Sequence, residues 1–393
     1  MYCDRKSGVM NMAARVCIIA FPWRSNNPYD FLSEVIQIIS NISSEIIIIT
    51  GNAKKIKYDN NKNIRISDVG ISAHYLNEIN PRPYSIFLWL IKNIIIQIKQ
   101  SYRILKMRYD FDVVIYYMAY PYFILPLITS KILGKKNIEI LTRGKRQSLI
   151  ERIISVQDHI ILRLLDGIAP ESSGLVSELR LEKYEKKILP IGARYIDGSK
   201  FTIRKEFEKR NLVIGYIGRM FQSKGILEFI DSIPFVIREL PSATFMIIGE
   251  GALLSLVKEK CSFIEKQTGA RIEIIGYVKR DRISFFLNEM KLLVLPSRSE
   301  GLPTIILEAM ACGTPVLITQ SCAIADYVKD GYTGFILSDT SPKAISNDII
   351  RAIRNPNLKS IVENAKNIID NLFSYQSAID RWKKIIDLQF DKK

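Results

Sequence analysis

The feature that most restricts the fold of this chain is a series of short runs that are apolar at nearly every position. "RVCIIAF" (Arg15–Phe21), "SEIIIIT" (Ser44–Thr50) and "FDVVIYYM" (Phe111–Met118) are rich in β-branched and aromatic residues. A strand with one wet face alternates apolar and polar residues. These runs do not alternate, so both of their faces must be covered. "KNIEILT" (Lys136–Thr142) and "DGIAPES" (Asp166–Ser172) are weaker members of the series, and helical patterns such as "YDFLSEVIQIISNI" (Tyr29–Ile42) lie between the runs. Buried strands alternating with helices predict a parallel sheet in an α/β domain.

The second half repeats the pattern more clearly. Strands are predicted at Asn211–Gly218, Ala243–Gly251, Arg271–Val278, Lys291–Ser297 and Thr314–Thr319, with helices between them, including Lys224–Leu240 and one from about Pro303 to Ala311. A chain of 393 residues has room for two such domains. Leu189–Phe201 reads as the linker, and Ser374–Phe390 as an amphipathic tail helix that follows a completed second sheet. Two doubly wound sheets facing one another would form a cleft, with ligands at the carboxyl ends of the strands.

Composition bounds the partners. The net charge is +16, and residues 1–200 carry 29 Lys+Arg against 18 Asp+Glu, so most of the excess lies in the first half. That excess suggests an anionic partner, a membrane surface among them. No nucleic-acid motif accompanies it, so nucleic acid is not expected. The five cysteines and two histidines (His74 and His159) lack metal-site spacing, which predicts a reduced, cytoplasmic protein without a bound metal. Residues 1–13 read as a loose leader. Asp110–Asp112 ("DFD") reads as a turn into a strand rather than a metal site. Ser85–Lys106 is interrupted by Lys92 and Lys99, which argues against a transmembrane helix. It can be an amphipathic helix on a membrane surface, with Trp89 on its apolar side, or a helix facing the core of the first domain.

The stretch "SRSEGLPTIILEAMACGTPV" carries Glu300 and Glu308 on either side of Gly301, Leu302 and Pro303. Pro303 suits the first turn of a helix, where its missing N–H costs nothing. Free backbone N–H groups there, with the positive end of the helix dipole, favour an anion. The two acids fall on different structures, one in the loop and one in the helix, where each can accept hydrogen bonds from sugar hydroxyls. "GYIGRMFQSKG" supplies cations at another strand end, Arg219 and Lys224, suited to phosphate oxygens. "GEG" at Gly249–Gly251 is a further tight turn from strand to helix.

Together these motifs resemble the nucleotide-sugar-dependent glycosyltransferases of family 4, which have the GT-B fold of two Rossmann-like domains. The resemblance implies an acceptor-binding domain at 1–193, a nucleotide-sugar-binding domain at 194–372 and a helix at 373–393 that crosses back to the first domain. It implies that Glu300 contacts the transferred sugar, that Gly301, Leu302 and Pro303 contact the diphosphate and sugar, and that Glu308 binds the ribose. Arg219 and Lys224 would hold the diphosphate, with Gly249, Gly251 and the Gly276–Val278 segment, including Tyr277, bordering the nucleoside. The implied reaction is hexosyl transfer from a UDP- or GDP-sugar, with retention of configuration and no divalent metal. The acceptor would be a glycan or lipid-linked, and the enzyme could sit peripherally on the cytoplasmic membrane face.

The first half departs from the family. Asn26 and Asn27 stand where a Gly-Gly turn is common, and Arg143 stands near the place of a histidine that faces the sugar. With Lys145 and Arg146, Arg143 suggests an anionic substrate. The departures keep open a second reading, a GT-B-like nucleotide-sugar-binding protein without activity.

Overall fold

A computed structural model describes residues 14–21, 27–51, 53–56, 58, 63–71, 83–117, 123–142, 160–190, 194–298, 302–320 and 326–390, with backbone alone for 27–30, 55 and 83–86. The first sheet contains β1 (Arg15–Ala20), β2 (Glu45–Thr50), β3 (Ile64–Asp68), β4 (Val113–Tyr117), β5 (Lys136–Leu141) and β6 (Gly167–Pro170) in the order β3-β2-β1-β4-β5-β6. The second contains β7 (Val213–Ile217), β8 (Thr244–Ile248), β9 (Arg271–Ile275), β10 (Leu292–Leu295), β11 (Val316–Ile318) and β12 (Phe335–Ile336) in the order β12-β11-β10-β7-β8-β9. Strand pairing is parallel in both. Counted from its own first strand, each sheet has the Rossmann order, which reverses direction beside β1 and again beside β7.

The apolar runs become the inner strands. Every residue of β4 and β10 is buried, as are Ile46–Ile49 of β2. The elements that sequence reading does not find are those with a weaker apolar signal. β3 is an edge strand with part-exposed residues, and β12 is two residues long. The helices Pro342–Ile353 and Leu358–Leu372 also went unread; each buries a narrow apolar stripe beneath a polar surface.

The tail helix Tyr375–Phe390 packs into the first domain. Ala378, Trp382, Ile385 and Ile386 share one apolar cluster with Val16, Ile18 and Ile36, and the Tyr375 hydroxyl donates to the Gln37 carbonyl at 3.1 Å. A cavity of about 490 Å³ beside this helix is lined by linker and tail residues such as Tyr195 and Phe373, and by none of the donor-side residues named above.

Candidate functional site

The second sheet's reversal point lies between β7 and β10, and the two loops that leave these strands are tied together. Arg298 N donates to the Ser223 carbonyl at 2.9 Å, and Arg298 Nη2 pairs with Glu228 at 2.7 Å. Gly225 joins the short turn Gln222–Lys224 to the helix Ile226–Glu239 in a left-handed conformation, φ 67°. A Cβ at that position would lie 2.1 Å from the Pro296 carbonyl oxygen, so no side chain fits. Lys224 therefore ends a single turn before the helix instead of opening it, and is held against the end of β10. Arg219 is exposed at the end of β7; the Tyr216 hydroxyl donates to its carbonyl at 3.0 Å, and its guanidinium stands over Phe221.

The loop after β8 closes on the same side. Met220 N donates to the Glu250 carbonyl at 2.8 Å, and Gly249 N to the Ile275 carbonyl at 3.0 Å. A Cβ on Gly249 would meet the Gly218 oxygen at 1.9 Å, so the first glycine of "GEG" is required by the approach of two strand-end loops. Tyr277 N donates to Glu250 Oε1 at 3.3 Å, and the Tyr277 ring is exposed. The structure thus brings Arg219, Lys224, Gly249, Gly251 and Tyr277 to adjoining carboxyl-end loops.

Glu308 sits in the helix Thr304–Ala311 and is 3% exposed. Pro303 is the residue before this helix rather than part of its first turn, with φ −72° and ψ 111°, and it offers no side-chain oxygen as a cap. Leu302 is buried beside it. The far end of the helix is fixed by buried Arg210, which donates to the Cys312 carbonyl at 2.6 Å and the Thr314 hydroxyl at 2.8 Å. Arg210 also reaches the Met290 carbonyl at 3.1 Å, so one guanidinium braces both this helix and Arg280–Glu289.

Arg280, absent from the sequence-derived set, is the main revision. Its Nε donates to Glu308 Oε1 at 2.9 Å, and its Nη1 pairs with Glu34 of the first domain's helix Asn27–Ile39. The carboxylate expected to bind the ribose hydroxyls is already engaged by a cation that bridges the domains. Burial pushes the Glu308 carboxyl up from its ordinary range, and Arg280 opposes the shift. Glu34 is raised for the same reason. Behind them Arg194 pairs with Glu171 at 2.5 Å, with side-chain exposures of 10% and 1%, and both arginines lie over the Phe31 ring. Burial raises Glu171 as well, against the pull of Arg194. The usable signal for Arg280 was the one that found Arg219, a cation just beyond a strand's carboxyl end, here β9.

Asp110 and Asp112 pair with Arg65 and Arg15 near the amino ends of the strands. Among the described residues, no three His, Cys, Asp or Glu side chains gather as a metal site. Glu300, Gly301, Asn26, Arg143, Lys145, Arg146, His74, His159 and residues 1–13 lie outside the described residues, as does the side chain of Asn27.

The capsular polysaccharide biosynthesis glycosyltransferase CapM of Staphylococcus aureus is 31% identical over 167 residues, 42% of this chain and 43% of that one. The Escherichia coli UDP-Gal:α-D-GlcNAc-diphosphoundecaprenol α-1,3-galactosyltransferase is 25% identical over 230 residues, 55% of this chain and 58% of that one. The chain spans about half the length of the curated relatives it matches. The crystal structure of Anabaena HepE in complex with UDP superposes with a TM-score of 0.73 at 14% identity, covering 95% of this chain and 100% of that one. The architecture is the GT-B fold. The segment 199–369, which holds Arg219, Lys224, Gly249, Gly251, Tyr277 and Glu308, matches the family model described as Glycosyl transferases group 1.

Proposed function

We propose that the chain is a retaining glycosyltransferase. It moves a sugar from a UDP- or GDP-sugar to a glycan or lipid-linked acceptor in cell-surface polysaccharide or glycoconjugate synthesis, without a divalent metal, at the cytoplasmic face of a membrane. The observation that carries this reading is that 199–369, the part similar to the group 1 family, has its motif residues at the carboxyl ends of the strands around the reversal point. Arg219 and Lys224 take the diphosphate and the charge that develops on the leaving nucleoside diphosphate, each charge-assisted bond contributing about 1.5–3 kcal/mol. The start of the Thr304–Ala311 helix lends its N–H groups to the same anion. Glu308 accepts from the ribose, and Glu300 with Gly301 holds the sugar as it passes through an oxocarbenium-like state. The names of two relatives support the acceptor class: CapM is named for capsular polysaccharide and the E. coli enzyme for a diphosphoundecaprenol-linked sugar.

A thermal-shift panel of nucleoside diphosphates and their sugars tests the donor. Binding to the folded state alone adds about 2.7 kcal/mol at about a hundredfold excess over Kd. One diphosphate should raise Tm in the native chain and lose that effect in Lys224→Ala. Absence of any response, or unchanged transfer in both Lys224→Ala and Glu308→Ala, overturns the reading. The Arg280–Glu308 pair favours one alternative, a nucleotide-sugar-binding protein without turnover. Stereochemical analysis of any product sugar separates the two, since the binding protein yields none.

A further inference from the structure

We propose that the outward face of the helix Pro83–Lys106 docks on an anionic lipid bilayer. The helix is apolar on two sides: Ile96 and Ile104 are buried in the first domain, and a second apolar row is left outside. Its polar residues Asn93, Gln97 and Gln100 are buried against the protein. Phe87, Ile91, Ile94, Ile98, Tyr102 and Leu105 recur at intervals of three and four and face outward, with exposures of 39–61%. The helix Ile124–Ile132 packs beside it, with Leu125 N donating to Gln97 Oε1 at 3.1 Å, and widens the apolar surface through Ile128 and Ile132, the latter 81% exposed. A contiguous apolar surface of this kind marks a docking face.

Charge selects the occupant. From Pro83 to Arg108 the chain has no acidic residue and five cations, Lys92, Lys99, Arg103, Lys106 and Arg108. Lys99 and Arg103 turn to the Val69 and Asp68 carbonyls, but a second copy laid face to face would still set cations against cations, whereas anionic headgroups attract the net positive charge of this face. Among the described residues no helix is long and apolar enough to cross a membrane, so this one lies on the surface. Its position connects it to the cleft. Gln100 Nε2 donates at 3.4 Å to the carbonyl of Ala20, the last residue of β1, and Lys99 Nζ reaches Val69 just past β3 at 3.1 Å. Residues 83–98 therefore run on for about 24 Å at 1.5 Å per residue beyond the carboxyl ends of the first sheet. Resting on the proposed transferase reading, this places the bilayer beside the mouth of the cleft, where a lipid-linked acceptor enters.

The test is co-sedimentation of the full chain with phosphatidylcholine vesicles, with and without added phosphatidylglycerol. Binding should require the anionic lipid and fall with salt. Ile94→Glu/Ile98→Glu should bind at least about tenfold more weakly, and Lys106→Glu/Arg108→Glu should lose more than about fivefold per lost cation. An unchanged thermal denaturation midpoint and far-UV circular dichroism spectrum show that the variants remain folded. The proposal is overturned if the native chain ignores anionic vesicles. It is also overturned if both variants sediment like the native chain, or if the native chain is a dimer that Ile94→Glu/Ile98→Glu makes monomeric. Vesicle binding is measured without donor or acceptor, so it stands or falls independently of sugar transfer.

Discussion

The two sheets share one strand order and one position of reversal, yet their surroundings differ. Around β7–β10 the strand-end loops are zipped together by backbone hydrogen bonds and by glycines that admit no Cβ, with Arg219 and Lys224 among them. Around the first sheet stand two acids, half-buried Glu34 and buried Glu171, each held by an arginine from beyond the sheet, and a helix with an apolar row turned outward. The same topology therefore supports a glycine-closed wall carrying two cations in one domain and an apolar, cation-rimmed flank in the other. The fold provides the crevice; the loop and helix sequences decide what fills it.

If this division is right, the variants should separate by domain and by kind of effect. The largest effect on stability is expected at the join. Arg194→Met leaves the Glu171 carboxylate buried without its cation, at a cost of about 3–5 kcal/mol at neutral pH. The sign of its pH dependence follows from burial. A carboxyl raised in the folded state adds stability below its unfolded value of about 4.3, and that stability is lost as pH rises through the folded value. Removing Arg194 raises the folded value further. The deficit should therefore shrink as urea titrations move from about pH 7 to about pH 5, and a deficit that stays constant would break the account of this pair.

In the second domain, Lys224→Ala should reduce transfer by about 10²–10³-fold while leaving the denaturation midpoint nearly unchanged, as loss of one preorganised charge contact does. An equal loss of stability would mean that Lys224 is a strut. Gly249→Ala should act in the opposite way and destabilise by more than about 1 kcal/mol, because its Cβ would press on the Gly218 carbonyl. The smallest effect is expected for Arg298→Ala. Its side chain is 53% exposed where it pairs with Glu228, and such pairs contribute no more than about 1 kcal/mol. A double-mutant cycle with Glu228→Gln measures it directly.

Much of the architecture was legible because the inner strands of a parallel sheet must be apolar on both faces, and runs such as "SEIIIIT" have no other stable use. The cation and glycine motifs of the second domain were legible for a related reason: a strand end followed by Gly, Arg or Lys at fixed spacing has few structural alternatives. Edge strands such as β3 carry half the apolar signal and were missed. The orientation of Pro83–Lys106 was left open, because an apolar stripe with three- and four-residue spacing looks the same whether it faces a core or a membrane. Arg280 was missed because its partners, Glu308 and Glu34, lie 28 and 246 residues away in the chain.

The sequence by itself determined the two α/β sheets and the carboxyl-end loops with Arg219, Lys224 and Gly249, since each depends on residues near one another in the chain. Tertiary structure alone decided that Glu308 is tied to an interdomain arginine, that Pro303 precedes its helix, and that Asn93, Gln97 and Gln100 of the Pro83–Lys106 helix are buried while Ile94 and Ile98 are exposed. Those outcomes depend on which surfaces meet across the fold. Local periodicity fixes the faces of an element; only packing chooses which face is covered.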